Sequence, residues 1–160
     1  MSHVTSLRLK VRDLDALEEA AEACGLALLR GKTTHKWYGR FMNDSTPPAG
    51  RNPKDYGKCE HAMALKDAQS GDYEIGVVKA LDGDGYDLLV DVWGQRRLLE
   101  ATGGAEMNRL RVEYSVAAAS RKARATLGRK GFKVERENLV GGAVRLKMRS
   151  RRHQLCARTT

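Results

Sequence analysis

Two apolar runs, residues 73–80 and 86–93, are separated by little more than Asp82-Gly83-Asp84-Gly85. An Asp-Gly step between such runs predicts a β-hairpin, because a tight reversal needs positive φ and glycine adopts it without steric cost. The middle of the chain is thereby committed to antiparallel pairing. Other segments extend the pattern. Leu7, Leu9 and Val11 alternate with Ser6, Arg8 and Lys10, the period of a strand with one buried face. Residues 26–30 read as a second strand. Residues 59–65 alternate again, which predicts Cys59, His61, Met63 and Leu65 on one face. Residues 132–137 and 143–149 form a further hairpin around Asn138 to Gly142.

The helical period appears twice. After Asp13 or Asp15, either able to cap, Leu14, Leu17, Ala21 and Cys24 fall on one stripe that Gly25 ends. In residues 108–127, Val112, Val116, Ala119, Ala123 and Leu127 form another, which Leu110, Tyr114 and Ala117 widen. Two helices cannot cover both faces of such a sheet. The expected fold is therefore α+β, a two-layer sandwich with a mainly antiparallel sheet and two helices on one face. Residues 1–150 are expected to form a single domain, and residues 151–160 a basic, flexible tail. Inside the domain, residues 31–58 form a long loop. It holds all three prolines (Pro47, Pro48, Pro53) together with Trp37, Tyr38, Phe41 and Tyr56. A loop this long and this aromatic either folds against the core or serves a function.

Composition narrows the function classes. With 160 residues, 41% hydrophobic and 31% charged, the chain is long and apolar enough to bury a core without disulfides. No apolar run approaches the ~20 residues of a membrane span, and residues 1–12 lack the apolar stretch of a signal peptide. No membrane partner and a cytoplasmic location are expected. Cys24, Cys59 and Cys156 are an odd count with no CxxC pair, against both a disulfide scaffold and the common zinc spacings. The net charge of +9 is lopsided: residues 108–160 carry 15 Lys/Arg against 3 Asp/Glu, the rest 14 against 17. Such asymmetry points to a polyanion, an acidic protein surface or pairing between copies.

Each chemical constellation has a plainer alternative. Cys59 and His61 with His35, and His3 as a further donor, can ligate a metal, or they can be core residues beside Met63. Cys59 with His61 can also form a thiolate–imidazole pair, but no motif supplies the third group a nucleophile needs. Asp82, Asp84 and Asp87 miss the calcium-loop pattern because Tyr86 stands where an oxygen ligand is required. Gly103-Gly104 and Gly141-Gly142 make no phosphate loop. Arg121, Lys122, Arg124, Arg129, Lys130, Arg145, Lys147, Arg149, Arg151 and Arg152 can track phosphates, or they can be a solvated face. Trp37, Tyr38, Arg40 and Phe41 can anchor a partner, where Trp, Tyr and Arg dominate, or pin the loop to its own core.

A succession of short segments carries a resemblance: Met1-Ser2-His3-Val4, Tyr73-Glu74-Ile75-Gly76, Tyr86 to Gly94, Tyr114-Ser115-Val116-Ala117, Gly131-Phe132-Lys133-Val134 and Gly142-Ala143-Val144-Arg145-Leu146. In this order they resemble the domain-of-unknown-function family twelve fifty-seven (Ycf thirty-five-like). Lys36 to Arg40 and Asp55 to His61 are similar to its phage-type branch. The resemblance implies a phage-encoded protein of the host cytoplasm and, by gene association only, an AAA-type ATPase partner. It carries over no catalytic residue. The leading expectation is a small non-enzymatic binding or adaptor protein without cofactor that engages a macromolecular partner. The alternatives are nucleic-acid binding by the basic C-terminal face and a metal-binding or small enzyme site at Cys59 and His61. Oligomeric state is left open.

Overall fold

The computed structural model describes residues 4–39, 48–127 and 130–150. The elements run β1 (Val4–Val11), α1 (Leu14–Ala23), β2 (Leu26–Arg30), a short 3-10 turn (Pro53–Asp55), β3 (His61–Leu65), β4 (Ile75–Lys79), β5 (Tyr86–Asp91), α2 (Arg96–Thr102), α3 (Asn108–Leu127), β6 (Phe132–Asn138) and β7 (Val144–Ser150). Strand pairing among the described residues is antiparallel, and the fold is α+β. The strands form two sheets, one of five strands in the order β1-β5-β4-β3-β2 and the β6–β7 hairpin by itself. The chain divides into two compact units, residues 1–114 and 115–160, where the sequence predicts one domain over 1–150. Composition does not mark the boundary because it falls inside α3, and a helix interior carries no linker residues.

In the first unit α1 starts at Asp13, whose carboxylate accepts from the Ala16 N–H at 3.0 Å. Such a cap contributes about 1 kcal/mol. Ala16, Leu17, Ala20 and Ala21 make its buried stripe. On one face of the five-stranded sheet, cross-strand register aligns Leu7, Leu88 and Val77 with His61 and Arg30. Arg30 there pairs with Asp15 and Glu18 of α1, at 2.6 and 2.7 Å, which places α1 over this face. The first turns of α3 run alongside α1 in the opposite sense. The Tyr114 hydroxyl accepts from the Arg12 N–H at 2.9 Å, at one end of α1. The Arg109 guanidinium donates to the Ala23 carbonyl at 2.6 Å, at the other. Two-layer packing of helices on one face is thus present, with α2 as a third helix. Residues 96–102 lack a helix-start signal because the capping position is Gln95 rather than Ser, Thr, Asp or Asn, and its side-chain oxygen accepts instead from the Tyr73 N–H at 2.8 Å.

The second face is covered by the long loop. Val4, Ala62, Val78 and Leu89 of the strands form one buried cluster with Tyr56 and Cys59, and Trp37 packs against it. Two glycines make room for rings here. A β-carbon on Gly76, the second residue of β4, would lie 2.5 Å from Nδ1 of His35. One on Gly57 would lie 2.7 Å from Nε1 of Trp37, and that backbone has φ +89° besides. Alternating residues of a central strand ordinarily present a side chain to each face. At Gly76 the missing side chain is replaced by an imidazole from the loop.

The second unit holds the remainder of α3 and the β6–β7 hairpin, whose register runs from Phe132 opposite Ser150 to Asn138 opposite Val144. Alternation puts Lys133, Glu135, Glu137, Arg145, Lys147 and Arg149 on one face and Phe132, Val134, Arg136, Asn138, Val144, Leu146 and Met148 on the other, which is mainly apolar.

Gly76→Ala should destabilise the first unit by about 1–3 kcal/mol, the range for overpacking. In a His35→Ala background the same change should cost clearly less, read from chemical denaturation of the four proteins of the cycle.

Candidate functional site

Trp37 and Tyr38 are half-buried. The Trp37 ring lies 5.1 Å from that of Tyr56. The Tyr38 ring meets Trp93 nearly perpendicularly at 5.9 Å, and its backbone N–H points to the buried Asp91 carboxylate at 3.4 Å. Both rings therefore hold the loop against the sheet. Arg40 and Phe41, the other two residues of that set, lie outside the described residues. A carboxylate not singled out in the sequence completes the attachment. Glu74 accepts from the Lys32 ammonium at 2.5 and 2.6 Å and from the Lys36 N–H at 2.9 Å. Only its position just before β4 could have marked it.

The expected sharing of one face by Cys59 and His61 is corrected. The strand begins at His61 and the chain bends at Glu60, so strict alternation does not reach Cys59. Cys59 turns into the loop-covered cluster, where its thiol donates to the Lys32 carbonyl at 3.1 Å. His61 lies on the helix-covered face. Its Nδ1 accepts from the Gly31 N–H at 2.9 Å and its ring meets Tyr86 at 5.3 Å. Among the described residues no three His, Cys, Asp or Glu side chains converge to hold a metal, so Cys59, His61 and His35 do not form the expected ligand set. His3 lies outside the described residues. Burial raises the Cys59 thiol to about 11, against a smaller lowering by Lys32. That leaves little of the thiolate a nucleophile requires near neutral pH.

His35 is buried, 5% exposed, with neither ring nitrogen bonded to a partner among the described residues. Burial pushes its pKa down to about 4; Glu74 opposes this and Lys32 reinforces it. It is held neutral and serves as a spacer between loop and sheet. Beside this cluster lies an open cleft of about 520 Å³, with Tyr56, Val78 and Leu89 among its walls and Arg51, Lys58 and Lys79 among its charged groups. Arg51 is committed there to Asp87 at 2.5 Å and to the Lys79 carbonyl at 3.1 Å. Asp82 and Asp84 are likewise paired with Lys10 and Arg12.

The basic residues fall together in a way the sequence did not delimit. Residues 115–160 carry 13 Lys/Arg against 2 Asp/Glu, and residues 1–114 carry 16 against 18. The charge boundary and the unit boundary coincide. Lys122, Arg124, Lys130, Arg145 and Arg149 are exposed, while Arg121 and Lys147 are half-buried. Arg129, Arg151 and Arg152 lie outside the described residues. Two carboxylates interrupt the row on the hairpin. Glu137 lies 2.9 Å from Lys147 and 3.5 Å from Arg145, and Glu135 lies 3.2 Å from Arg149 and 3.8 Å from Lys133. Pairing alternate residues of 132–137 with those of 143–149 would have found both.

Among the described residues no helix is long and apolar enough to cross a membrane. No protein-family model, curated protein or solved structure matches the chain.

Because the folded His35 binds its proton below the unfolded value of 6.5, acid favours the unfolded chain. Its contribution should be intact above pH 6.5 and fall by about 3 kcal/mol as pH drops toward 4. His35→Leu should lose that part of the acid limb while keeping stability at neutral pH, since no bond is removed. Denaturant midpoints at stepped pH for the two proteins check this.

Proposed function

We propose that the chain is a non-enzymatic binding protein that engages nucleic acid through its second unit. The observation that carries this reading is the coincidence of charge and structure: a net of +11 on residues 115–160, from 13 cations and 2 carboxylates, beside −2 on residues 1–114, from 16 and 18. Solubility does not require that partition, and a cationic unit releases counterions when it meets phosphates. The aromatic residues of the long loop support this choice by being occupied: Trp37 and Tyr38 bind the loop to the sheet. An adaptor reading with a protein partner keeps one support, Trp93, which is 45% exposed and of a residue type that anchors interfaces. Membership of family twelve fifty-seven, a phage origin, a host-cytoplasmic location and an ATPase partner belong to this proposal as well. They rest on the succession of sequence segments.

Binding to a labelled oligonucleotide should be measurable at low salt and weaken steeply as salt rises. Arg145→Ala, Lys147→Ala and Arg149→Ala combined should lower affinity at least tenfold. They should also reduce the slope of log K against log salt by roughly 2 to 3. Fluorescence anisotropy across a salt series reads both. Absence of binding even at low ionic strength would overturn the reading. Recovery from lysate of one stoichiometric protein that survives nuclease would favour the adaptor instead.

A further inference from the structure

Resting on that reading, we propose that the β6–β7 hairpin is a ribbon that enters the major groove of double-helical DNA with its charged face inward. Shape is the first argument. Two strands about 4.8 Å apart with side chains to either side match a major groove of ~12 Å, which admits a two-stranded ribbon; the minor groove, ~6 Å wide, does not. The deep, narrow major groove of duplex RNA excludes it as well.

Orientation is the second. Lys133, Arg145 and Arg149 of the charged face are exposed and Lys147 is half-buried, whereas on the opposite face Phe132, Val134, Val144 and Leu146 are half-buried and Met148 is exposed. The charged face therefore has three cations open to a ligand.

The composition of that face is the third. Glu135 and Glu137 stand among Lys133, Arg145, Lys147 and Arg149. A surface that only tracked phosphates would be weakened by two carboxylates, which phosphate repels. Base edges reverse the sign. Arg and Lys donate to guanine O6 and N7, and a carboxylate accepts from the cytosine amino group, both in the major groove. The ion pairs of the free protein hold the long cationic side chains over the ribbon, and exchanging them for base contacts leaves each charged group hydrogen-bonded.

Single strands fit poorly. Residues 115–160 contain one residue among Phe, Trp and Tyr, Phe132, and it is half-buried on the face opposite the cations, whereas proteins that bind single strands stack bases on exposed rings.

Anisotropy with the full chain tests this on four probes of one sequence: duplex DNA, each single strand, duplex RNA, and duplex DNA whose cytosines carry bulky groups at C5, which project into the major groove. Duplex DNA should bind at least tenfold more tightly than each of the others. Glu137→Gln should tighten binding to duplexes in general while narrowing the difference between sequences. Equal binding of single strands or RNA, or indifference to the C5 groups, overturns the ribbon proposal and leaves the nucleic-acid reading standing. No binding to any probe overturns both.

Discussion

The second face of the five-stranded sheet depends on an absent side chain. Gly76 sits in the central strand β4, where a β-carbon would meet the His35 ring at 2.5 Å. With that space open, the imidazole lies on the backbone, and Trp37, Tyr56 and Cys59 can pack over Val4, Ala62, Val78 and Leu89. The loop then closes a face that two helices could not reach. Its polar backbone is met by specific partners: the Cys59 N–H bonds the Thr33 carbonyl, the His35 N–H bonds the Gly57 carbonyl, and Glu74 receives Lys36. A covering loop needs such accounting, because buried backbone groups without partners would oppose the burial of the rings.

That arrangement changes what the reactive side chains are for. A thiol, two imidazoles and a tryptophan within residues 35–61 look like the makings of a site. Each answers to packing instead. The Cys59 thiol is raised by burial and bonded to a carbonyl. His35 is kept neutral. His61 accepts a hydrogen bond from the Gly31 N–H on the other side of the sheet. The candidate chemistry migrates to the part of the chain with the simplest composition, a helix and a hairpin rich in Lys and Arg.

Periodicity carried most of the fold. The alternation in residues 4–11 and the stripe through Leu17 and Ala21 each report one buried face, and burial of that face is what stabilises the element; the alternation in 132–149 reports a hairpin none of whose described residues is fully buried. Where the local pattern was only half of the cause, the sequence was silent. The bend at Glu60 reverses the facing of Cys59, and no local propensity encodes a bend that the loop's packing imposes. The helix at 96–102 starts without a side-chain cap, its Gln95 serving a turn twenty-two residues earlier. The glycine at 76 reads as a weak spot in a strand until its cross-face neighbour is known. The charge asymmetry was legible as a number. Its meaning required the boundary inside α3, which only contacts reveal.

The concentration of charge has a consequence for how the second unit holds itself together. A two-stranded sheet is marginal alone in water, and 13 cations with 2 carboxylates on residues 115–160 repel one another. Any anion that neutralises them when folded also lowers the free energy of the folded form, by about 2.7 kcal/mol at a concentration one hundred times its Kd. The first unit, with 16 Lys/Arg against 18 Asp/Glu and both faces of its sheet covered, has far less to gain from the same ions.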